Sequence, residues 1–174
     1  MKTSAEIKKE VIDRLRQQPS LESLNISVDV MGDVVFLSGR VDSYRKKFDA
    51  GKLIRSLEDV KKVHLDLCVD LPPGDKKTDA EIRDAIVKIL QQSIFADIKI
   101  AFSIHEGVLI LTGETKSLLQ KNKLMNEIVN VPGILNTWNF IKVTKAATGI
   151  KLNGNNNRAN NKIEIPANLL AVVQ

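Results

Sequence analysis

Among 174 residues there is one cysteine, one tryptophan and one tyrosine. A lone Cys68 rules out an intrachain disulfide, so cysteine usage does not point to an oxidising compartment. It lies in an alternating apolar pattern with nothing beside it to lower its pKa, and reads as a small strand residue. With aromatics at 4%, a core has to be built from Ile, Leu and Val. No stretch approaches the ~20 apolar residues of a membrane-spanning helix. The start, Met1 to Ile7, is charged and helix-like, without the apolar segment of a secretory signal. As written, the chain reads as cytoplasmic, or periplasmic if a leader has been removed. Chemistry is sparse too. His64 and His105 have no Ser, Cys or carboxylate at triad-like spacing. Asp66 and Asp70 supply too few oxygens for a hard cation. We expect no catalytic residue, metal site or cofactor. No two of the nine glycines are three apart, which excludes a G-x-x-G backbone clamp, and most strands lack aromatic platforms. Nucleic acid is therefore not an expected partner, although the net charge is +5.

What the chain does have is a repeat. Thr3-Ser4-Ala5-Glu6-Ile7 returns as Thr78-Asp79-Ala80-Glu81-Ile82, a shift of 82 − 7 = 75. Val35-Phe36-Leu37-Ser38-Gly39 returns as Leu109-Ile110-Leu111-Thr112-Gly113, a shift of 113 − 39 = 74. Val60, Leu67 and Val69 match Ile134, Ile141 and Val143. In each unit a T-x-x-E capping box opens a helix. Its face is Ile7, Val11, Leu15 in one copy and Ile82, Ile86, Leu90 in the other. The period then drops to two, over Leu24, Ile26, Val28, Val30 and over Ile98, Ile100, Phe102, Ile104, each predicting a half-buried strand. Turns at Met31-Gly32-Asp33 and His105-Glu106-Gly107 lead into second strands that end at Gly39 and Gly113. These are structural glycines, placed where a positive φ or a close backbone approach is needed. A second helix follows, with Tyr44, Phe48, Gly51, Ile54 and Leu57 on one face, matched by Leu118, Met125, Ile128 and Val131. A third strand closes each unit, on Val63, Leu65, Leu67, Val69 and on Thr137, Asn139, Ile141, Val143.

The predicted fold class is α+β: two αββαβ domains in tandem, each a three-stranded sheet with two helices packed on one face. The first spans 1–71. A Pro-Pro-Gly linker occupies 72–77 and the second domain 78–144. Residues 145–174 read as a flexible Asn-rich tail with an apolar end, Leu169 to Val173, able to dock onto its own domains or a partner.

A capped helix, a hairpin ending Val-Phe-Leu-Ser-Gly or Leu-Ile-Leu-Thr-Gly, a second helix and a last alternating strand resemble the BON domain (bacterial OsmY and nodulation). Two in a row resemble the double-BON proteins of bacterial envelopes. Many of those carry an export signal or lipobox, which is not seen here, and the Gly-Val that often precedes the last strand is Gly133-Ile134 in one copy but Asp59-Val60 in the other. The resemblance implies a non-catalytic module that associates with phospholipid membranes or with envelope assemblies, often linked to stress.

Two surfaces are candidate contacts. The second helix of the first unit is basic, with Arg45, Lys46, Lys47, Lys52 and Arg55, among acidic residues that partly cancel the field; it suits an anionic phospholipid surface. The last strand of the second unit presents Trp138 and Phe140 where the first presents His64, Asp66 and Cys68. An exposed aromatic pair suits a protein–protein adaptor that also uses the tail. The alternative is a register shift that buries Trp138.

Overall fold

The computed structural model describes residues 2–21, 25–95 and 98–144. The expected tail, 145–174, lies outside them, as does Leu24. The first unit runs α1 (Ser4–Gln17), β1 (Ile26–Met31), β2 (Val34–Val41), α2 (Tyr44–Arg55) and β3 (Lys62–Val69). The second runs α3 (Asp79–Leu90), β4 (Lys99–His105), β5 (Val108–Thr115), α4 (Leu118–Ile128) and β6 (Asn136–Val143). The linker carries a short 3₁₀ turn, Pro73–Asp75.

The capping boxes form as the sequence predicts. The Glu6 carboxylate accepts from the Thr3 N–H at 2.8 Å, and the Thr3 hydroxyl accepts from the Glu6 N–H at 3.3 Å. Thr78 and Glu81 repeat both bonds, at 2.9 and 3.3 Å. Each reciprocal pair satisfies two N–H groups that the first helical turn leaves unpaired. The apolar stripes then face the sheets. Ile7, Val11 and Leu15 bury against Val28, Val35, Leu37, Ile54 and Leu67. Ile82 and Ile86 bury against Ile104, Leu109, Leu111, Leu124, Ile128 and Ile141.

Each sheet is mixed. β1 and β2 form a two-residue hairpin in register Met31↔Val34, and β4 and β5 do the same with His105↔Val108. Positive φ at Gly32, and at Glu106 and Gly107, gives the turns the twist a tight hairpin needs. The start of each first helix clamps the turn: the Ser4 hydroxyl accepts from the Gly32 N–H at 3.2 Å. In the second unit the Asp79 carboxylate accepts from the N–H groups of both Glu106 and Gly107, at 2.9 Å each. The last strand of each unit crosses over and runs parallel to the middle one, giving the orders β1-β2-β3 and β4-β5-β6.

Two sequence expectations change. Gly39 and Gly113 do not end their strands; β2 runs on to Val41 and β5 to Thr115. The glycines sit inside, at φ 140° and 138°, opposite Ile26 and Ile100. A Cβ there would run into the backbone carbonyl of Asn25 or Lys99, so the requirement is the close approach of the neighbouring strand. The second change concerns Leu118, placed by periodicity on the core face of α4. It is 60% exposed. Its repeat mate Tyr44 explains why, because that position points out of its own unit.

Candidate functional site

Tyr44 is the first residue of α2, capped by the Ser43 hydroxyl. Its ring leaves the first unit and enters the core of the second, beside Met125, Val129 and Val131, where it is 7% exposed. Phe48, one turn on, packs against the same cluster, its ring centroid 6.5 Å from that of Tyr44. Burial pushes the Tyr44 phenol above its usual pKa. At the rim the Arg45 guanidinium donates to the Asn130 side-chain oxygen at 2.8 Å. The linker packs beside this contact: Gly133, at φ 92°, has no room for a Cβ because the Lys77 stem lies on it. In the first unit Asp59 stands at the same place, and its carboxylate pairs with Lys2 at 3.0 Å. The departure from Gly-Val therefore follows from what each copy packs against that corner.

Beside the Tyr44 contact the two units leave a cleft of about 750 Å³. Lys47, Lys52 and Arg55 line it from α2, and Lys121 from α4, with Asn122, Asn126, Asn136 and Asn139 between them. Phe48, Leu65 and Met125 supply apolar wall, and Trp138 stands at the mouth. Among the described residues no carboxylate lines it. Burial holds the Lys47 ammonium below its usual pKa, with Cys68 and Asp66 opposing. An anion arriving here would meet converging positive charge and favour the charged form of Lys47. Lys121 is held in place, its ammonium donating to the Ile141 carbonyl at 2.6 Å. The Asn139 side chain accepts from the Ile141 N–H at 3.0 Å.

The structure splits the residues singled out from the sequence. Lys47, Lys52, Arg55 and Trp138 come together at the cleft. Arg45 and Lys46 do not line it and are neutralised along α2, by Asp49 at 2.7 Å and Asp42 at 2.6 Å. Phe140 is half-buried and not part of the lining. Trp138 is 48% exposed, on the ladder position opposite Ile110. On the first unit's sheet the comparable pairing is Phe36 with His64, rings stacked at 4.9 Å. The sequence reading missed Lys121 and the four asparagines. Lys121 was available as the repeat mate of Lys47, since 121 − 47 = 74 is the repeat shift. Cys68 is exposed. Among the described residues no group of three or more His, Cys, Asp or Glu could hold a metal ion, and no helix is long and apolar enough to cross a membrane.

No curated protein matches the chain. Among solved structures it is similar to CdsD, described as a structural protein of the type III secretion system of Chlamydia trachomatis. One of these, its C-terminal domain, is 17% identical with a TM-score of 0.33, covering 80% of this chain and 66% of that one. A second CdsD structure is also 17% identical with a TM-score of 0.33, covering 82% and 64%. The chain thus spans slightly less than two thirds of each, and a likeness at that score carries no argument about fold or partners. The BON domain family matches twice, over residues 3–70 and 78–145, each match enclosing one αββαβ unit. The chain belongs to the BON domain family, as a tandem double-BON protein.

Proposed function

We propose that this tandem BON protein is a non-catalytic module that binds anionic phospholipid surfaces, with the cleft between its domains taking the headgroup. The observation that carries the reading is charge: Lys47, Lys52, Arg55 and Lys121 line one cleft, with no carboxylate among the described residues that line it. Elsewhere on α2 the basic residues are matched, which makes the unmatched set a choice of place and not a general basic surface. The asparagine amides suit the ester and hydroxyl oxygens of a headgroup.

Near an anionic bilayer each Lys or Arg contributes about 1 kcal/mol, so removing three weakens binding by roughly 100-fold. The test is sedimentation with vesicles of phosphatidylglycerol in phosphatidylcholine against phosphatidylcholine alone, at low and high salt. The protein is expected to pellet with the anionic vesicles at low salt, and the Lys47→Ala/Lys52→Ala/Arg55→Ala variant to stay in solution. Absence of pelleting by the unaltered protein at low salt refutes the reading.

A second reading, a protein–protein adaptor, is favoured by the exposure of Trp138. In that reading the pair Trp138 and Phe140, with the apolar C-terminal end, meets a protein partner. It is what remains if anionic vesicles are not bound.

A further inference from the structure

Leu118 and Leu119 open α4 and are 60% and 72% exposed. Ile94, 39% exposed, adjoins them, because the Gln120 amide donates to its carbonyl at 3.1 Å. Lys116 and Lys123, both exposed, flank the pair, and the first turn of α4 holds no acidic residue. We propose that Leu118, Leu119 and Ile94 form an apolar tip that enters the interfacial layer of an anionic bilayer. The proposal rests on the membrane-surface reading above but concerns a different part of the molecule.

Two arguments choose lipid over a second copy of the chain. Tyr44, the repeat mate of Leu118, is seated on the ridge from Val129 to Ile134. The corresponding ridge of the first domain is Arg55-Ser56-Leu57-Glu58-Asp59-Val60. There Arg55, Glu58 and Asp59 replace Val129, Pro132 and Gly133, and Asp59 is already paired with Lys2. Head-to-tail repetition of the internal contact therefore has no apolar seat to use. The second argument is direction. Adjacent helical residues do not share a face, whereas anchors for a protein groove recur at i, i+3 or i+4 and i+7. Two neighbouring leucines that diverge suit a fluid medium that closes around both, and the lysines beside them suit its anionic headgroups.

The experiment compares the full chain with Leu118→Ser/Leu119→Ser on vesicles containing phosphatidylglycerol. Because both side chains are exposed, the fold should persist, which far-UV circular dichroism and a thermal melt check. The variant is expected to lose about tenfold or more in vesicle affinity. It should also lose the part of the binding that survives high salt. A second measurement places an environment-sensitive fluorophore at Leu119→Cys in a Cys68→Ser background. Its emission should shift to the blue on vesicles and be quenched by lipids brominated in the acyl chains. If the serine variant pellets like the unaltered protein, or the fluorophore on vesicle-bound protein does not respond, the tip reading falls while the cleft reading stands. If the unaltered protein ignores anionic vesicles, both fall.

Discussion

Replacing Tyr44 with alanine should uncouple the two domains without unfolding the first. The ring is 7% exposed and belongs to the core of the second domain, although its backbone belongs to the first. An aromatic side chain buries roughly 150–250 Å². At about 25 cal/mol per Å² that is roughly 4–6 kcal/mol, an upper estimate. Measured truncations of buried aromatics fall at about 3–5 kcal/mol. Among the described residues the side-chain hydrogen bond across the contact, Arg45 to Asn130, is exposed and contributes about 1 kcal/mol. Local helix propensity does not oppose the change, since alanine is the best helix former. Almost all of the loss therefore falls on the contact between domains and on the second core, which is left with a hole. Domains of this size have little stability to spare. Differential scanning calorimetry should show one transition for the unaltered protein. For Tyr44→Ala it should show two, the second domain melting first, while Tyr44→Phe keeps one. A single transition for Tyr44→Ala, with unfolding free energy changed by less than about 0.5 kcal/mol, would refute the assignment of Tyr44 as the tie.

Gly113→Ala should cost about 2–4 kcal/mol in urea unfolding, because the new methyl meets backbone atoms of Lys99 and Ile100 that cannot move aside. Gly74→Ala, with nothing within 4 Å of its would-be Cβ, should change stability by less than about 0.5 kcal/mol; equal effects at the two sites would overturn this account of the glycines. Trp138 should emit near the solvent-exposed wavelength and be quenched by acrylamide in the monomer; a blue, protected emission would mean that β6 is out of the register described. Hydrogen bonds from Thr3 and Thr78 hold the carboxyls of Glu6 and Glu81 below their usual pKa. Their contribution is complete above the unfolded carboxylate value of about 4.3 and is lost as pH falls through the lower folded values. Thr78→Ala should remove about 1 kcal/mol near pH 7. The gap from the unaltered protein should narrow in acid, as measured by thermal melts between pH 2 and 7.

The repeat, the capping boxes and the strand alternation were legible because each is a local pattern with one physical meaning. Thr-x-x-Glu before an apolar stripe opens a helix, and alternation over Ile98 to Ile104 marks a half-buried strand. What was not legible is where equivalent positions in a duplicated chain point once they have different neighbours. Periodicity gave Tyr44 and Leu118 the same helix face, and they do share it. Among the described residues a second domain lies beside α2 and none beside α4, which turns one into an anchor and leaves the other bare. The basic helix was legible as composition, but its division into paired and unpaired charges was not: Asp42 and Asp49 serve Lys46 and Arg45, Lys47 has no carboxylate four residues away, and Asp59, four residues after Arg55, pairs with Lys2 instead. Lys121 was legible only as the repeat mate of Lys47, and the asparagines not at all, because the cleft is assembled from four separate segments, α2, β3, α4 and β6.

The bonds at Ile141 bear on how the edge of the second sheet meets a foreign strand. β6 is the last strand of its sheet, and its outer backbone groups are open to addition of a foreign strand. At Ile141 both are already occupied, the N–H by Asn139 and the carbonyl by Lys121. An invading strand would have to strip away an amide and an ammonium before it could continue the ladder, so the margin of the second sheet is blocked by side chains at that position. In the first sheet Leu65 stands where Asn139 would be, so that margin has no amide to offer at the equivalent place.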